Sequence, residues 1–325
     1  MFQVEVLRGK HVESTHNCSV AVVDADGHLL AEFGDIYRPI FPRSSIKVIQ
    51  ALPLVESGAA ARFSLQGQGL ALCCSSHAGE NRHADMVSKI LDAAGLDEGA
   101  LKCGSAWPHE GEPTIDYARA GGGKRPLRHT CSGKHAGFLC LSCHLEANVD
   151  EYLLPDGVVQ KEIIAALANV TGYAFDHPPE IDGCSAPTYS VPLRALAQGF
   201  ARLSAGHGLG VERAKAAGQL FKACMKNPEY VGGTGLYDTR IMAAGEGKVF
   251  AKFGAEGVYC GALPELGIGI AIKCHDGSIP AAEIAFGCAV SAFHEEVMLN
   301  QDHRPIHNDA GLYVGAMQPA SAYNS

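Results

Sequence analysis

The sequence predicts a mixed α/β (α+β) fold, with one mostly antiparallel sheet assembled from both ends of the chain and helices between. Three observations predict it: strand-like runs near the N-terminus, matching runs towards the C-terminus, and helical periodicity in the middle. Residues 18–24 (CSVAVVD) read as a buried strand, Asp26-Gly27 as a hairpin turn and 28–33 as the returning strand. Residues 249–253, 257–262 and 268–273 are short apolar runs punctuated by Gly254, Gly257 and Pro264, and Asp276-Gly277 marks another turn. The Ala-rich stretch 280–298 reads as a helix. In between, 82–94 carries Met86, Val87, Ile90 and Leu91 on one face, and 158–170 and 192–203 repeat that period. The expectation is a single domain over 1–325. Its sheet comes from about 1–80 and 245–300, and its helical middle from about 81–245. The tail past Asn300 is polar and unpatterned and reads as a surface segment.

At 325 residues and 47% hydrophobic content the chain can bury a substantial core. A formal net charge of -9 disfavours nucleic acid as a partner, because a polyanion wants a basic face. No apolar run approaches the roughly 20 residues of a spanning helix, so no membrane partner is expected. The N-terminus lacks a basic stretch followed by an apolar one, which reads as a cytoplasmic protein. Its 12 cysteines are scattered, and most are expected to be buried thiols, not a disulfide scaffold. Gly121-Gly122-Gly123-Lys124 lacks the spacing of a phosphate loop and reads as an ordinary loop.

The chemistry concentrates in Pro42-Arg43-Ser44-Ser45-Ile46-Lys47. Three residues along a helix is a rotation of about 300°, so Ser44 shares a face with Lys47 and Ser45 does not. A serine needs a base to become nucleophilic, and a lysine can be that base only when neutral, which burial favours. Lys47 stands among Ile46, Val48, Ile49 and Leu52, a poor setting for a solvated charge. The start of the helix would favour a developing oxyanion. The bland reading is that Ser44 only caps the helix. Pro53 is expected to kink or end it.

The run from Pro42 through Gly58 to Ala60 resembles the signature of the bacterial L-asparaginase II family, also called class 3 or Rhizobium-type. Cys74-Ser75-Ser76-His77-Ala78-Gly79-Glu80, Thr130-Cys131-Ser132-Gly133-Lys134-His135-Ala136-Gly137-Phe138, Ile181-Asp182-Gly183-Cys184 and Gly233-Thr234-Gly235 carry the resemblance further along the chain. So does Lys252-Phe253-Gly254-Ala255-Glu256-Gly257. The resemblance implies a fold like serine β-lactamases and penicillin-binding proteins, which also pair an early S-x-x-K with a late K-T-G strand. Here Phe253 replaces the threonine, which argues against a β-lactam substrate. It also implies two Ser-Lys pairs, Ser44 with Lys47 and Ser76 with Lys252, with Lys248 and Lys273 as rivals of Lys252.

A Zn2+ ion held by Cys131, Lys134 and Cys184 is likewise implied, in a positioning role more than a catalytic one. Cys131 and Lys134 are spaced so that one helical turn can aim both at one point, and zinc binding would enforce a neutral amine. Arg43 is expected to grip a substrate α-carboxylate, Asp182 to receive its α-amino group and His135 to act as a nearby donor. Hydrolysis of L-asparagine to L-aspartate and ammonia through an acyl-enzyme, in a homodimer, is what the resemblance implies. The rivals are a β-lactamase-like serine esterase or peptidase, and a non-catalytic zinc-binding protein.

Overall fold

A computed structural model of the chain describes residues 1–109, 112–297 and 303–320. The chain forms two compact units. One comprises 1–45, 190–207 and 248–325; the other comprises 46–189 and 208–247.

The first unit is built on an eight-stranded sheet. Its strands are β1 (Phe2–Arg8), β2 (His11–Asp24), β3 (Leu29–Phe33), β4 (Phe250–Gly254), β5 (Val258–Leu263), β6 (Ile268–Cys274), β7 (Arg304–His307) and β8 (Tyr313–Pro319). The order is β7-β8-β1-β2-β6-β5-β4, with β3 also on β2, and every pairing is antiparallel. Strands β2 and β6 are rich in β-branched residues, and the inner strands β5 and β6 are buried almost throughout. The 14-residue β2 reaches β1 with its first half and β3 with its second. Helices Leu193–Ala205 and Ile279–Ser291 pack on the sheet. A Cβ on Gly269 would stand 2.0 Å from the Ala197 carbonyl oxygen and one on Gly261 2.4 Å from the Phe286 ring, so the two helices cover opposite faces.

The second unit is helical, and its axis is Ser132–His144. Eleven consecutive residues of that helix, Ser132 to Ser142, are buried, as expected of a helix surrounded by others. Helices Leu52–Glu56, Gln68–Cys73, Asn81–Ala93 and Val158–Thr171 pack around it. The helix expected after Ser44 is broken as Pro53 predicts: Lys47–Gln50 ends at Ala51, and Leu52–Glu56 restarts with proline in its first turn. No helix of the described residues is long and apolar enough to cross a membrane.

The mixed α/β class and the two-ended sheet are as predicted, and so are the strands at both ends. Two local expectations fail. The tail past Asn300 is not a plain surface segment, because β7 and β8 extend the sheet onto β1 with Val4 opposite Pro319 and Val6 opposite Met317. Its sequence, poor in β-branched residues, is held as a strand by its partner. The helix expected over 280–298 stops at Ser291, and Met298 lies outside the described residues.

Gly269→Ala should cost about 1–3 kcal/mol, because the added methyl meets backbone that cannot rotate away. Urea unfolding of the variant beside wild type measures it. An unchanged midpoint would mean the helix does not sit on β6 as described.

Candidate functional site

The first unit presents Arg43, Ser44 and Lys252. Arg43 has φ of +53°, a left-handed conformation that a non-glycine residue adopts only when its surroundings enforce it. The enforcement is visible on the following residue. Ser45 is fully buried, its hydroxyl donates to the Pro42 carbonyl at 2.7 Å, and it lies in hydrogen-bond contact with the Cys260 thiol of β5. Ser45 is therefore committed to structure, while Ser44 is half-buried. Strand β4 runs directly against this turn, since a Cβ on Gly254 would meet the Pro42 carbonyl oxygen at 2.6 Å. Lys252, on that strand, is fully buried; its amine donates to the Phe253 carbonyl at 3.1 Å and sits 4.1 Å from the Phe253 ring centroid. The phenylalanine that departs from K-T-G is thus a cation–π partner of this lysine.

The second unit holds the rest. Lys47 is fully buried, and its amine reaches three acceptors: the Ser75 carbonyl at 2.5 Å, Ser76 Oγ at 2.9 Å and Cys131 Sγ at 3.2 Å. An ammonium group has three donors, and all three are used. The segment that delivers Ser75 and Ser76 is extended and clamped from both sides. Ser76 N–H donates to the Val231 carbonyl and Ala78 N–H to that of Gly232, while His77 N–H donates to the Thr130 carbonyl.

The expected metal set also converges. A tight turn, closed by Ser185 N–H on the Asp182 carbonyl, brings Cys184 to the start of the axial helix, where Lys134 Nζ is 3.1 Å from its sulfur. Cys131 and Cys184 share a proton. The Cys184 thiol, with Lys47 and Lys134 adding positive charge, holds Cys131 well below the usual thiol range against the effect of burial. The same bond pushes Cys184 up. Burial opposes charge on Lys134, but the two sulfurs outweigh it and raise its affinity for a proton. Asp182 contributes from the turn in the same sense.

Three histidines around this cluster are kept neutral by burial: His77 and His129 below the ordinary value, and His135 at about 4. A hydrogen bond assigns one tautomer. His77 Nδ1 accepts from Gly79 N–H, so its Nε2–H faces Ser132 Oγ at 2.9 Å. Tyr152 OH accepts from Lys102 N–H at 2.7 Å and shares a hydrogen bond with His135 Nδ1, also at 2.7 Å. The His135 ring is in hydrogen-bond contact with the Cys184 thiol as well, while Ser75 Oγ is buried with no hydrogen-bond partner. Such a group costs about 1–3 kcal/mol unless a ligand or water satisfies it. Of the residues the sequence singled out, Lys47, Ser76, Cys131, Lys134, Cys184, His135 and Asp182 gather in one unit. Arg43, Ser44 and Lys252 belong to the other. Ser76, expected beside Lys252, has Lys47 as the lysine at its hydroxyl. Ser75 and Tyr152 were missed; for Ser75 the doubled serine was the one signal, and for Tyr152 there was none.

A buried amine within hydrogen-bond reach of a serine hydroxyl is one of the pairings that can activate a serine as a nucleophile. The chain belongs to the L-asparaginase II family, which it matches over residues 4–319, and membership makes it an amidohydrolase. Among curated proteins none matches it significantly. Of solved structures, a β-lactamase from Mycobacterium bovis aligns over 87% of this chain and 95% of its own at 14% identity, with a TM-score of 0.43. Mglu in its native form, in 4.3 M NaCl, aligns over 90% of this chain and 66% of its own at 16% identity, with a TM-score of 0.40. No function follows from likeness at this level.

His135 yields a pH prediction. Its folded-state pKa of about 4 lies below the ordinary 6.5, so the unfolded chain takes up this proton first. Stability from this group is complete above pH 6.5 and declines as pH falls towards 4, by roughly 3 kcal/mol. Urea midpoints across that range should fall less steeply for His135→Gln than for wild type. Parallel curves would remove His135 from the account.

Proposed function

We propose that the chain hydrolyses L-asparagine to L-aspartate and ammonia through an acyl-enzyme on Ser44. The observation that carries this reading is the fully buried amine of Lys47, three residues after Ser44, which is held 2.9 Å from the Ser76 hydroxyl and is thus a base out of water among serines. Ser45 is spent on the Pro42 carbonyl. In the neutral form Lys47 takes the Ser44 proton as the oxygen bonds to the side-chain amide carbon. The tetrahedral intermediate collapses, the C–N bond breaks and the nitrogen leaves as ammonia after receiving a proton. Water then attacks the ester, its proton passing to a lysine, and Ser44 is released. Ser76 relays protons to Lys47, with Lys252 as the second lysine of the pair. Arg43 receives the α-carboxylate and Asp182 the α-amino group, with His135 as a nearby donor.

Cys131, Lys134 and Cys184 suit a Zn2+ ion: the Cys131 thiol is held well below its usual range, which favours the thiolate a metal needs, and the Lys134 amine stands 3.1 Å from the Cys184 sulfur. When bound, zinc would supply positive charge that polarises a nearby carbonyl, and would tie the Cys184 turn to the axial helix. Positioning is the favoured role, since Ser44 supplies the nucleophile. The reading includes a cytoplasmic homodimer with a small-molecule substrate.

The 2.9 Å Lys47–Ser76 bond favours a second reading, in which Ser76 is itself the acylated residue. Ammonia release from asparagine should fall about a thousandfold or more in Ser44→Ala. A trapped acyl adduct should map to the peptide holding Ser44. An adduct on the Ser76 peptide, with Ser44→Ala still active, would transfer the role. For the metal, Cys131→Ser should carry one equivalent of zinc less than wild type by elemental analysis; equal contents would exclude this ligand set.

A further inference from the structure

Another group of donors lies in the sheet unit, where no step above uses it. Cys18 on β2 and Cys274 on β6 are directly opposed partners in the sheet, both fully buried, with their thiols in hydrogen-bond contact. Residues two apart on a strand point to the same face. His16 therefore stands beside Cys18, and Asp276, just past the end of β6, beside Cys274. The Asp276-Gly277 turn folds Asp276 back: Gly277 N–H donates to the Cys274 carbonyl at 3.2 Å, and Ser278 N–H to Asp276 Oδ1 at 3.1 Å. One carboxylate oxygen meets the Cys274 sulfur at 3.0 Å and the other meets His16 Nδ1 at 2.6 Å. One imidazole nitrogen, one sulfur and one carboxylate oxygen thus lie within 4.8 Å of one another.

We propose that His16, Cys274 and Asp276 form a metal site for a borderline-soft divalent cation, with Zn2+ as the fitting ion. Nitrogen, sulfur and oxygen donors at zinc bond lengths of about 2.0–2.3 Å stand about 3.3–3.7 Å apart in a tetrahedron, inside the observed envelope. A thiol with an imidazole selects zinc over magnesium or calcium, which demand oxygen donors. The approach is open: the Asp276 side chain is 51% exposed and that of His16 19%, while Cys274 closes the inner side. Solvent on the open side supplies the fourth ligand, and the inner side holds the Cys18 thiol as a reserve donor. His16 comes from β2, Cys274 from β6 and Asp276 from the turn after β6, a turn already held by the Ser278 N–H on Asp276 and by the Asp276 contact with Cys274. Binding releases the Cys274 thiol proton to water and adds a cross-link between β2 and the end of β6.

The site is independent of the one built on Cys131, and the test keeps them apart. Protein with Cys131→Ser and Cys184→Ser is equilibrated with Zn2+, dialysed and analysed for metal. About one equivalent should remain, and Co2+ in its place should give thiolate-to-cobalt charge-transfer absorption. Adding Asp276→Ala or Cys274→Ser should remove both signals. If the double variant does not fold, Asp276→Ala alone, a change at a half-exposed position, should lower the zinc content of the otherwise wild-type protein by one equivalent. Failure to retain zinc in the double variant, retention after Asp276→Ala, or a Cys18–Cys274 disulfide in the isolated protein would overturn the proposal.

Discussion

The site in the helical unit depends on one fact: an amine has been taken out of water at Lys47. Burying an ammonium group without partners is prohibitive, and even with partners it demands near-complete hydrogen bonding. The Ser75 carbonyl, the Ser76 hydroxyl and the Cys131 sulfur meet that demand. The segment 74–80 cannot then be a helix, because Ser75 must turn its carbonyl towards Lys47. Its amides go instead to the Thr130, Val231 and Gly232 carbonyls, which fixes two further loops. The buried axial helix is placed by the same requirement, since Cys131 lies at its start.

Around that amine, charge and neutrality are sorted by environment. Cys131 is held well below the usual thiol range by the Cys184 thiol, against the effect of burial, with Lys47 and Lys134 acting in the same sense. The histidines nearby stay neutral, because burial and neighbouring lysines both oppose a further positive charge. Neutral imidazoles are directional hydrogen-bonding groups, and beside them Ser75 Oγ is left without a partner. Such a hydroxyl is a cost to the folded chain and an asset to a site that must recognise a polar atom. The strained Arg43 backbone in the sheet unit is a feature of the same kind, held by the burial of Ser45.

How much was legible follows from how local each signal is. The strands at 18–24 and 268–273 announce themselves through β-branched runs and that at 28–33 through the Asp26-Gly27 turn before it, and the pairing bears them out. Strand β8 did not, because residues such as Gly315 and Met317 carry no strand preference of their own and are strand only beside β1. The helix over 280–298 was read seven residues too long, since its alanines mask the point where capping ends it. Cys131, Lys134 and Cys184 were singled out by the family resemblance, since their spacing alone is no metal signature. Tyr152 was not, because its link to His135 joins residues 17 positions apart that no pattern relates.

By itself, then, the sequence determined what periodicity and adjacency encode: the class of fold, the two-ended sheet and the spacing of Ser44 and Lys47. Its resemblance to a family supplied Ser76, Lys252 and the candidate cysteines. Only the tertiary structure decided which donor meets which acceptor. It gave Lys47 to Ser76, committed Ser45 to a backbone carbonyl, set Cys184 beside Lys134, and opposed Cys18 to Cys274 across two strands. The reason is physical. Hydrogen bonds and proton sharing are decided within about 3–4 Å, and distances that short between residues far apart in the chain exist only once the core has packed.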